Sequence, residues 1–261
     1  MAHVENLWIY PVKGLDADAV DTVRLTEAGT PAGDRRYAFV DTDGETYNGK
    51  QIDTLHEIAS SFDLETDVLT LSVDGSEATR RFDLTTERNE AGEWFSEFVG
   101  ERLALRRREP PAFVDRPELG PSVISTGTLE EVASWFDGMT PEGARRRLRP
   151  NVEIGGVPPF WEDRFLGEDA PSFETGGVRF EAAQACARCV VPTRDPDTGE
   201  PTEGFRTRFV ERRKATLPEW VDQDALDHFY TVMVISRVPE AGRGRSITVG
   251  DPVSVADESD A

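Results

Sequence analysis

The chain has 261 residues, 38% of them hydrophobic, and a formal net charge of −21 from 50 Asp and Glu against 29 Lys and Arg. That is enough apolar material for one large or two modest domains. No run of about 18 apolar residues occurs, which excludes a membrane-spanning helix, and the acidic balance argues against nucleic-acid binding.

The acidic charge is dispersed, and lysine occurs only at Lys13, Lys50 and Lys214. Such a pattern is expected of a protein kept soluble in a high-salt cytoplasm, where screening relieves self-repulsion; the alternative is a surface for basic partners. The first residues, Met1-Ala2-His3-Val4-Glu5-Asn6, lack the basic-then-apolar form of a secretory signal, so a cytoplasmic location is expected.

In chain order, the first hundred residues read mainly as strands. Residues 4–12 are extended and apolar, 20–25 alternate, and 37–40 lead into the turn Asp41-Thr42-Asp43-Gly44. Residues 62–64 and 68–73 continue the pattern, with Asp74-Gly75 as a hairpin turn. Short strands at this spacing predict a small barrel or curled sheet. Trp94, Phe95, Phe98 and Val99 share one face of a helix near 91–99, and Leu129, Val132, Ala133 and Phe136 follow helical spacing. Thr128-Leu129-Glu130-Glu131 fits a capping box for that second helix, and Gly138 ends it. Between the two helices, residues 109–121 form the most linker-like stretch, which places a domain boundary there: 1–108 and 109–261. Further on, 151–154, 178–183, 230–236 and 247–249 read as strands, the last followed by a tight turn and a final strand at 253. Residues 217–226 read as a helix or an irregular connection.

Both cysteines fall in one window, Gln184-Ala185-Cys186-Ala187-Arg188-Cys189, and Asp195-Pro196-Asp197-Thr198-Gly199 follows. Two thiols so close do not suit a secreted disulfide framework. A zinc site needs further Cys or His ligands, and His3, His56 and His228 are scattered. A thioredoxin-like pair opens a helix after a strand, whereas Val190-Val191-Pro192-Thr193 reads as extended. Inert buried thiols are the third alternative. A thiolate is a soft metal ligand and a nucleophile, and Arg188 beside Cys189 favours its ionised form. Arginine clusters at 102–108, 145–149 and 35–36 stand out against the acidic background. Most read as solvated faces or ion-pair partners, but Arg149 precedes Pro150-Asn151 and an apolar run, where a fork of donors suits phosphate or carboxylate.

These motifs together resemble the MOSC-domain proteins that carry an N-terminal MOSC β-barrel, the group that contains the amidoxime-reducing components. The resemblance rests on Tyr10-Pro11-Val12-Lys13, Asp34-Arg35-Arg36-Tyr37, Arg149-Pro150-Asn151, the Cys186–Cys189 window with Asp195–Gly199, and Val249-Gly250-Asp251-Pro252-Val253, in the family's order over nearly the whole chain. It implies a mainly β fold with α+β elements: a small N-terminal β-barrel-like domain, then a MOSC β-barrel domain with peripheral helices. It implies a molybdenum pterin cofactor with Cys189 as the metal ligand and, with Asp195, as a catalytic residue. Lys13, Arg35, Arg149 and Asn151 would hold the pterin and its phosphate, with Arg188, Ser125 and Thr128 as further cofactor contacts. Gly14 and Lys50 depart from what relatives commonly carry at or near those positions. No four-cysteine iron–sulfur module follows, and no pyridoxal-phosphate sulfurase domain is present, so no pyridoxal phosphate is expected.

The function so implied is reduction of small N-hydroxylated compounds. A carrier of cofactor or of sulfur, with Cys186 holding a persulfide, is the alternative, and a purely structural barrel is a third. With no G-x-G-x-x-G fingerprint in the chain, electrons are expected from a separate electron-transfer protein. A donor from the same high-salt cytoplasm is expected to be acidic, so that docking improves as salt rises.

Overall fold

The computed structural model describes residues 1–52, 54–76 and 78–256. Its first half comprises β1 (His3–Ile9), β2 (Asp18–Ala19), β3 (Thr22–Arg24), β4 (Tyr37–Val40), β5 (Thr46–Tyr47), β6 (Ile58–Asp63), β7 (Val68–Val73), β8 (Thr79–Asp83), α1 (Arg88–Val99) and β9 (Ala104–Arg107). There follow β10 (Ser122–Ser125), α2 (Thr126–Ser134), α3 (Pro141–Leu148), β11 (Val152–Gly155), β12 (Ser172–Thr175), β13 (Val178–Ala187), α4 (Phe205–Ala215), β14 (Thr231–Arg237), β15 (Ser246–Thr248) and β16 (Val253–Ala256). Among the described residues the fold is mainly β with four α-helices; the sequence predicts the mainly β character and the first two helices.

An eight-stranded sheet in the order β16-β12-β13-β14-β10-β11-β1-β2 forms the framework. Its pairings are antiparallel except β10 with β11. Successive side chains of a strand point to opposite faces, so neighbours in sequence enter different cores. Val123 packs with Val4, Leu7, Val152 and Phe173 on one side. Ile124 joins Leu129 of α2, Leu148 of α3 and Phe209 of α4 on the other. A third core belongs to the first half, where the sheets β5-β4-β9 and β6-β7-β8 meet α1. There Phe39 stacks on Phe95 with ring centroids 3.7 Å apart.

The sheets do not divide at residue 108. β1 pairs with β11, and β3 pairs with β15, so the first strands are built into sheets supplied mostly by the second half. The 109–121 stretch is packed rather than loose: Ala112, Phe113 and Leu119 are buried, and the Phe113 N–H donates to the Arg35 carbonyl (2.9 Å).

Several expectations shift locally. β1 stops at Ile9, two residues before Pro11, which has no N–H to donate to a ladder. Of the 20–25 stretch only Thr22–Arg24 is strand, as β3, and the short β2 precedes the stretch at Asp18–Ala19. The α2 cap is Ser125, whose hydroxyl accepts from the Thr128 N–H (3.1 Å), and not Thr128. β13 continues through Cys186 to Ala187, and residues 191–193 form a turn of 3-10 helix instead of the extended run expected there. Residues 217–226 are irregular apart from a 3-10 turn at 223–225. Helices α3 and α4 fall where the sequence pattern predicts no helix. The signals are visible in retrospect: Thr140 caps Pro141–Leu148 with Pro at the first position, and Phe205, Phe209 and Arg213 make an i, i+4, i+8 stripe.

That stripe ends in a buried ion pair. Arg213 and Asp163 are both essentially inaccessible and bonded to each other, and Arg213 also donates to the Thr231 carbonyl (3.3 Å). Removing one partner strands the other charge in the core. Asp163→Ala should therefore lower unfolding free energy by about 3–5 kcal/mol, readable from the urea midpoint.

Next to it, Glu162 is fully buried beneath α2, accepting from the Ser125 N–H (3.1 Å). Burial, with the Asp163 charge adding to it, pushes its carboxyl up to about 7. A raised folded value means the native state holds this proton more tightly than the unfolded chain. The associated stability is present below about pH 4.5 and is lost as pH rises through about 7. Glu162→Gln should remove that loss, so the variant gains stability over wild type at pH 8 and none at pH 4. Urea unfolding at the two pH values measures the difference.

Candidate functional site

A cavity of about 1300 Å³ lies where the loop after β1, residues 30–35, residues 48–52 and 55–59, the 114–122 strap, the end of α3 and residues 186–199 converge. Ten of its lining side chains are Lys or Arg and seven are Asp or Glu, whereas the whole chain has 29 against 50. The cavity is thus a basic concavity in an acidic protein, the electrostatic setting for an anionic ligand.

Its floor is tied by Asp34, which is 3% exposed. One Asp34 oxygen accepts from the Tyr10 N–H (2.9 Å) and from Asn151 Nδ2 (3.1 Å); the other pairs with Arg35. Asn151 Oδ1 in turn accepts from the Ser122 hydroxyl (3.1 Å), and its Nδ2 also reaches the Trp8 carbonyl (3.1 Å). Asn151 therefore acts as a brace between β1, β10 and the Asp34 loop. Tyr10 lies between two guanidiniums, Arg149 at 4.1 Å and Arg35 at 4.8 Å from its ring centroid, and its hydroxyl donates to the Pro150 carbonyl (3.0 Å). Burial pushes the Tyr10 phenol up to about 12, so it stays a neutral donor.

Arg35 and Arg149 both adopt left-handed backbone, φ 49° and 57°, a sparsely populated region for a side chain this large. They differ electrically. Burial works against the Arg35 charge, but Asp34 and its neighbours more than restore it, and its pKa is raised. Arg149 has its pKa lowered by burial; its guanidinium donates to the Leu15 carbonyl (2.7 Å) and makes no ion pair among the described residues. It is the cation of the floor that lacks a carboxylate. Lys13 is engaged by Asp115 (2.5 Å) and the Phe113 carbonyl (2.9 Å). Burial alone would raise the Asp115 carboxyl, but Lys13, Lys50 and Arg35 hold it below the ordinary range.

The two thiols face different surroundings. Cys189 is exposed on the cavity wall, and its carbonyl accepts from the Tyr230 hydroxyl (3.2 Å). Cys186 is buried, and the Arg188 guanidinium donates to its sulfur (3.0 Å) and to the Leu148 carbonyl (2.9 Å). Arg188 thus serves Cys186, and not the adjacent Cys189 as the sequence suggests, because the side chain of residue 188 turns back toward α3. Arg188 Nε is buried with no hydrogen-bond partner among the described residues.

Asp195 also lines the cavity. Burial would raise its carboxyl, but the Asp197 and Thr198 N–H groups and Arg147 outweigh that and hold it below the usual range. It is a fixed carboxylate that shapes the turn. Ser125 and Thr128 lie elsewhere: both are fully buried, hydrogen-bonded to each other (2.7 Å), with the Thr128 hydroxyl accepting from the Phe160 N–H (2.6 Å). Neither lines the cavity, because both hydroxyls are committed to the start of α2.

Sequence reasoning missed the arginines that hold the 190–199 loop. Arg147, 6% exposed, binds the Pro192 carbonyl (3.0 Å), the Arg194 carbonyl and Asp195 (2.9 Å). Arg146 binds Asp197 (2.5 Å), and Arg194 reaches back to the Gly49 carbonyl (2.9 Å). Their run of charge was visible, but helix α3 decides which members turn inward.

The β framework thus carries a basic cavity with an exposed thiol, Cys189, at its wall. Two family models match the chain: the MOSC N-terminal beta barrel domain over residues 1–102 and the MOSC domain over residues 121–254. The chain belongs to the MOSC family. Among curated proteins it is similar to the mitochondrial amidoxime reducing component 2 of Bos taurus, 25% identical over 96% of this chain and 82% of that protein. It is also similar to the human mitochondrial amidoxime-reducing component 1, 26% identical over 78% of this chain and 71% of that protein. Among the described residues no helix is long and apolar enough to cross a membrane.

If Arg147 fixes the loop, Arg147→Ala should cost about 2 kcal/mol of stability and expose 190–199 to cleavage. Limited proteolysis with fragment masses reads this; an unchanged cleavage pattern contradicts it.

Proposed function

We propose that this chain binds a molybdenum pterin cofactor in the basic cavity and reduces N-hydroxylated compounds with electrons from a separate donor protein. The observation that carries the reading is an exposed thiol, Cys189, on the wall of a cation-rich cavity in a chain of net charge −21. The names of the relatives, amidoxime reducing components, support the substrate class.

The residues present fit such a group. A pterin phosphate is best held where at least one cation is not already neutralised, and Arg149 is buried without a carboxylate partner among the described residues. Arg188 carries an orphaned buried Nε. Molybdenum favours a soft thiolate ligand, and Cys189 offers one. Arg149, Arg35 and Lys13 would hold the phosphate and pterin, Arg188 would add a further donor, and Cys189 would ligate the metal. Asn151 holds the floor from below through Asp34 and Ser122.

When bound, the cofactor supplies two-electron redox chemistry. Reduction of an N–OH group consumes two electrons and two protons and releases water. The residues of this chain prepare the site for that exchange in three ways. The Tyr10 phenol, kept neutral by burial, spaces the two guanidiniums without adding negative charge. The Asp195 carboxylate, held ionised, keeps the turn closed and is not a proton donor. Arg147 and Arg194 fix the 190–199 loop beside Cys189.

Cys189→Ser should lose nearly all molybdenum, because a hydroxyl is a poorer soft-metal ligand than a thiolate, while Cys186→Ser should largely retain it. Elemental analysis and pterin fluorescence of protein from a molybdate-replete host give the answer. Equal retention by the two variants would overturn the ligand assignment. Loaded protein that reduces no N-hydroxylated compound but restores an apo-molybdoenzyme would favour the carrier reading instead.

A further inference from the structure

Helix α4 runs against the charge of the rest of the molecule. Its exposed positions include Arg206, Arg208, Arg212 and Lys214 against the single carboxylate Glu211. None of the four makes an ion pair among the described residues. In a chain with 50 acidic side chains and three lysines, four unpaired cations on one helix need a reason, since neutralising carboxylates are available almost everywhere else.

Their placement supplies one. The buried stripe Phe205, Phe209 and Arg213 fixes the helix against the sheet, and the cations flank it on both sides. Arg206 lies over the Tyr230 ring (5.2 Å), and the Tyr230 hydroxyl donates to the Cys189 carbonyl (3.2 Å). Lys214 lies over the Phe229 ring (5.1 Å) on the same flank. Arg208 sits on the other side, over Phe136 of the turn after α2 (5.8 Å). Arg206 on this flank is therefore one side chain, Tyr230, away from the backbone carbonyl of Cys189. The neighbouring Val190 is 47% exposed, an apolar contact at the same rim.

The geometry points to this flank of α4, with Val190, as the docking surface for an acidic electron-donor protein that delivers electrons beside Cys189. The inference rests on the reading that electrons reach the cavity from a separate protein. It reverses the salt dependence expected from net charge alone. Two acidic proteins repel at a distance, but a local basic patch decides the contact, so binding weakens as salt screens it. An extended polyanion such as an anionic membrane surface fits less well, because it would also face the acidic remainder of a chain of net charge −21.

The test measures binding and turnover separately on the cofactor-loaded protein. Binding of an oxidised plant-type ferredoxin, a small acidic iron–sulfur protein, is followed by calorimetry across a salt series. Reduction of benzamidoxime is driven by reduced methyl viologen, which needs no docking surface. The double variant Arg206→Glu/Lys214→Glu should bind ferredoxin about tenfold more weakly, with viologen-driven turnover unchanged. Arg208→Glu/Arg212→Glu, on the opposite flank, should bind within about twofold of wild type. Equal losses in both pairs, or wild-type binding that strengthens with salt, would overturn the surface. So would co-sedimentation with phosphatidylglycerol vesicles that the first pair abolishes while ferredoxin binding is untouched. Absence of viologen-driven turnover in wild type would count against the proposed reductase, while the ferredoxin titration would still decide the docking surface.

Discussion

The Asp34 carboxylate, removed from solvent and shared among the Tyr10 N–H, Asn151 Nδ2 and Arg35, is the contact on which the cavity depends. It joins three stretches distant in sequence: the end of β1, the loop at 31–35 and the entry to β11. A buried charge is tolerable only when paired and hydrogen-bonded, and each of its partners also contributes to the cavity floor. Tyr10 spaces Arg35 from Arg149, and Asn151 reaches on to Ser122 and Trp8. Two left-handed arginines are held in place by this knot, and such strained backbone persists only where the surroundings over-determine it.

Charge is distributed to match. Dispersed carboxylates give the chain its net −21, while cations gather in the cavity and on α4. Those of the cavity are partly spent on structure, since Arg147 and Arg194 bind mostly backbone carbonyls and thereby fix a loop. Among the described residues Arg149 makes no ion pair in its buried setting. A low-dielectric site that retains an unpaired cation is costly in isolation and favourable with an anionic ligand.

The two thiols illustrate how the backbone assigns roles. β13 shifts register against β14 at 182–184 and again at 185–187, and Cys186, at the second shift, is buried and meets Arg188. The chain then leaves the strand, and Cys189 falls on the exposed wall before the 3-10 turn at 191–193. Three residues of spacing separate a sheltered sulfur from an accessible one.

The sequence by itself determined the family, through short motifs whose order no composition argument could mimic, together with the strands bounded by strong turn chemistry and the helix with a clear apolar face. Asp41 and Asp74-Gly75 act through neighbours a few residues away, so local physics is enough to read them. Tertiary structure alone decided that Ser125 and Thr128 are buried in the start of α2, that Arg188 turns to Cys186, and that Arg147 points inward while Arg146 reaches Asp197. It also decided that β1 belongs to a sheet completed by strands more than a hundred residues away, across a break that looks like a domain boundary. The reason is common to all of these. Each rests on partners far apart in the chain, such as Asn151 with Asp34 or Lys13 with Asp115, and residue type or spacing does not say which distant group a long cationic side chain will find.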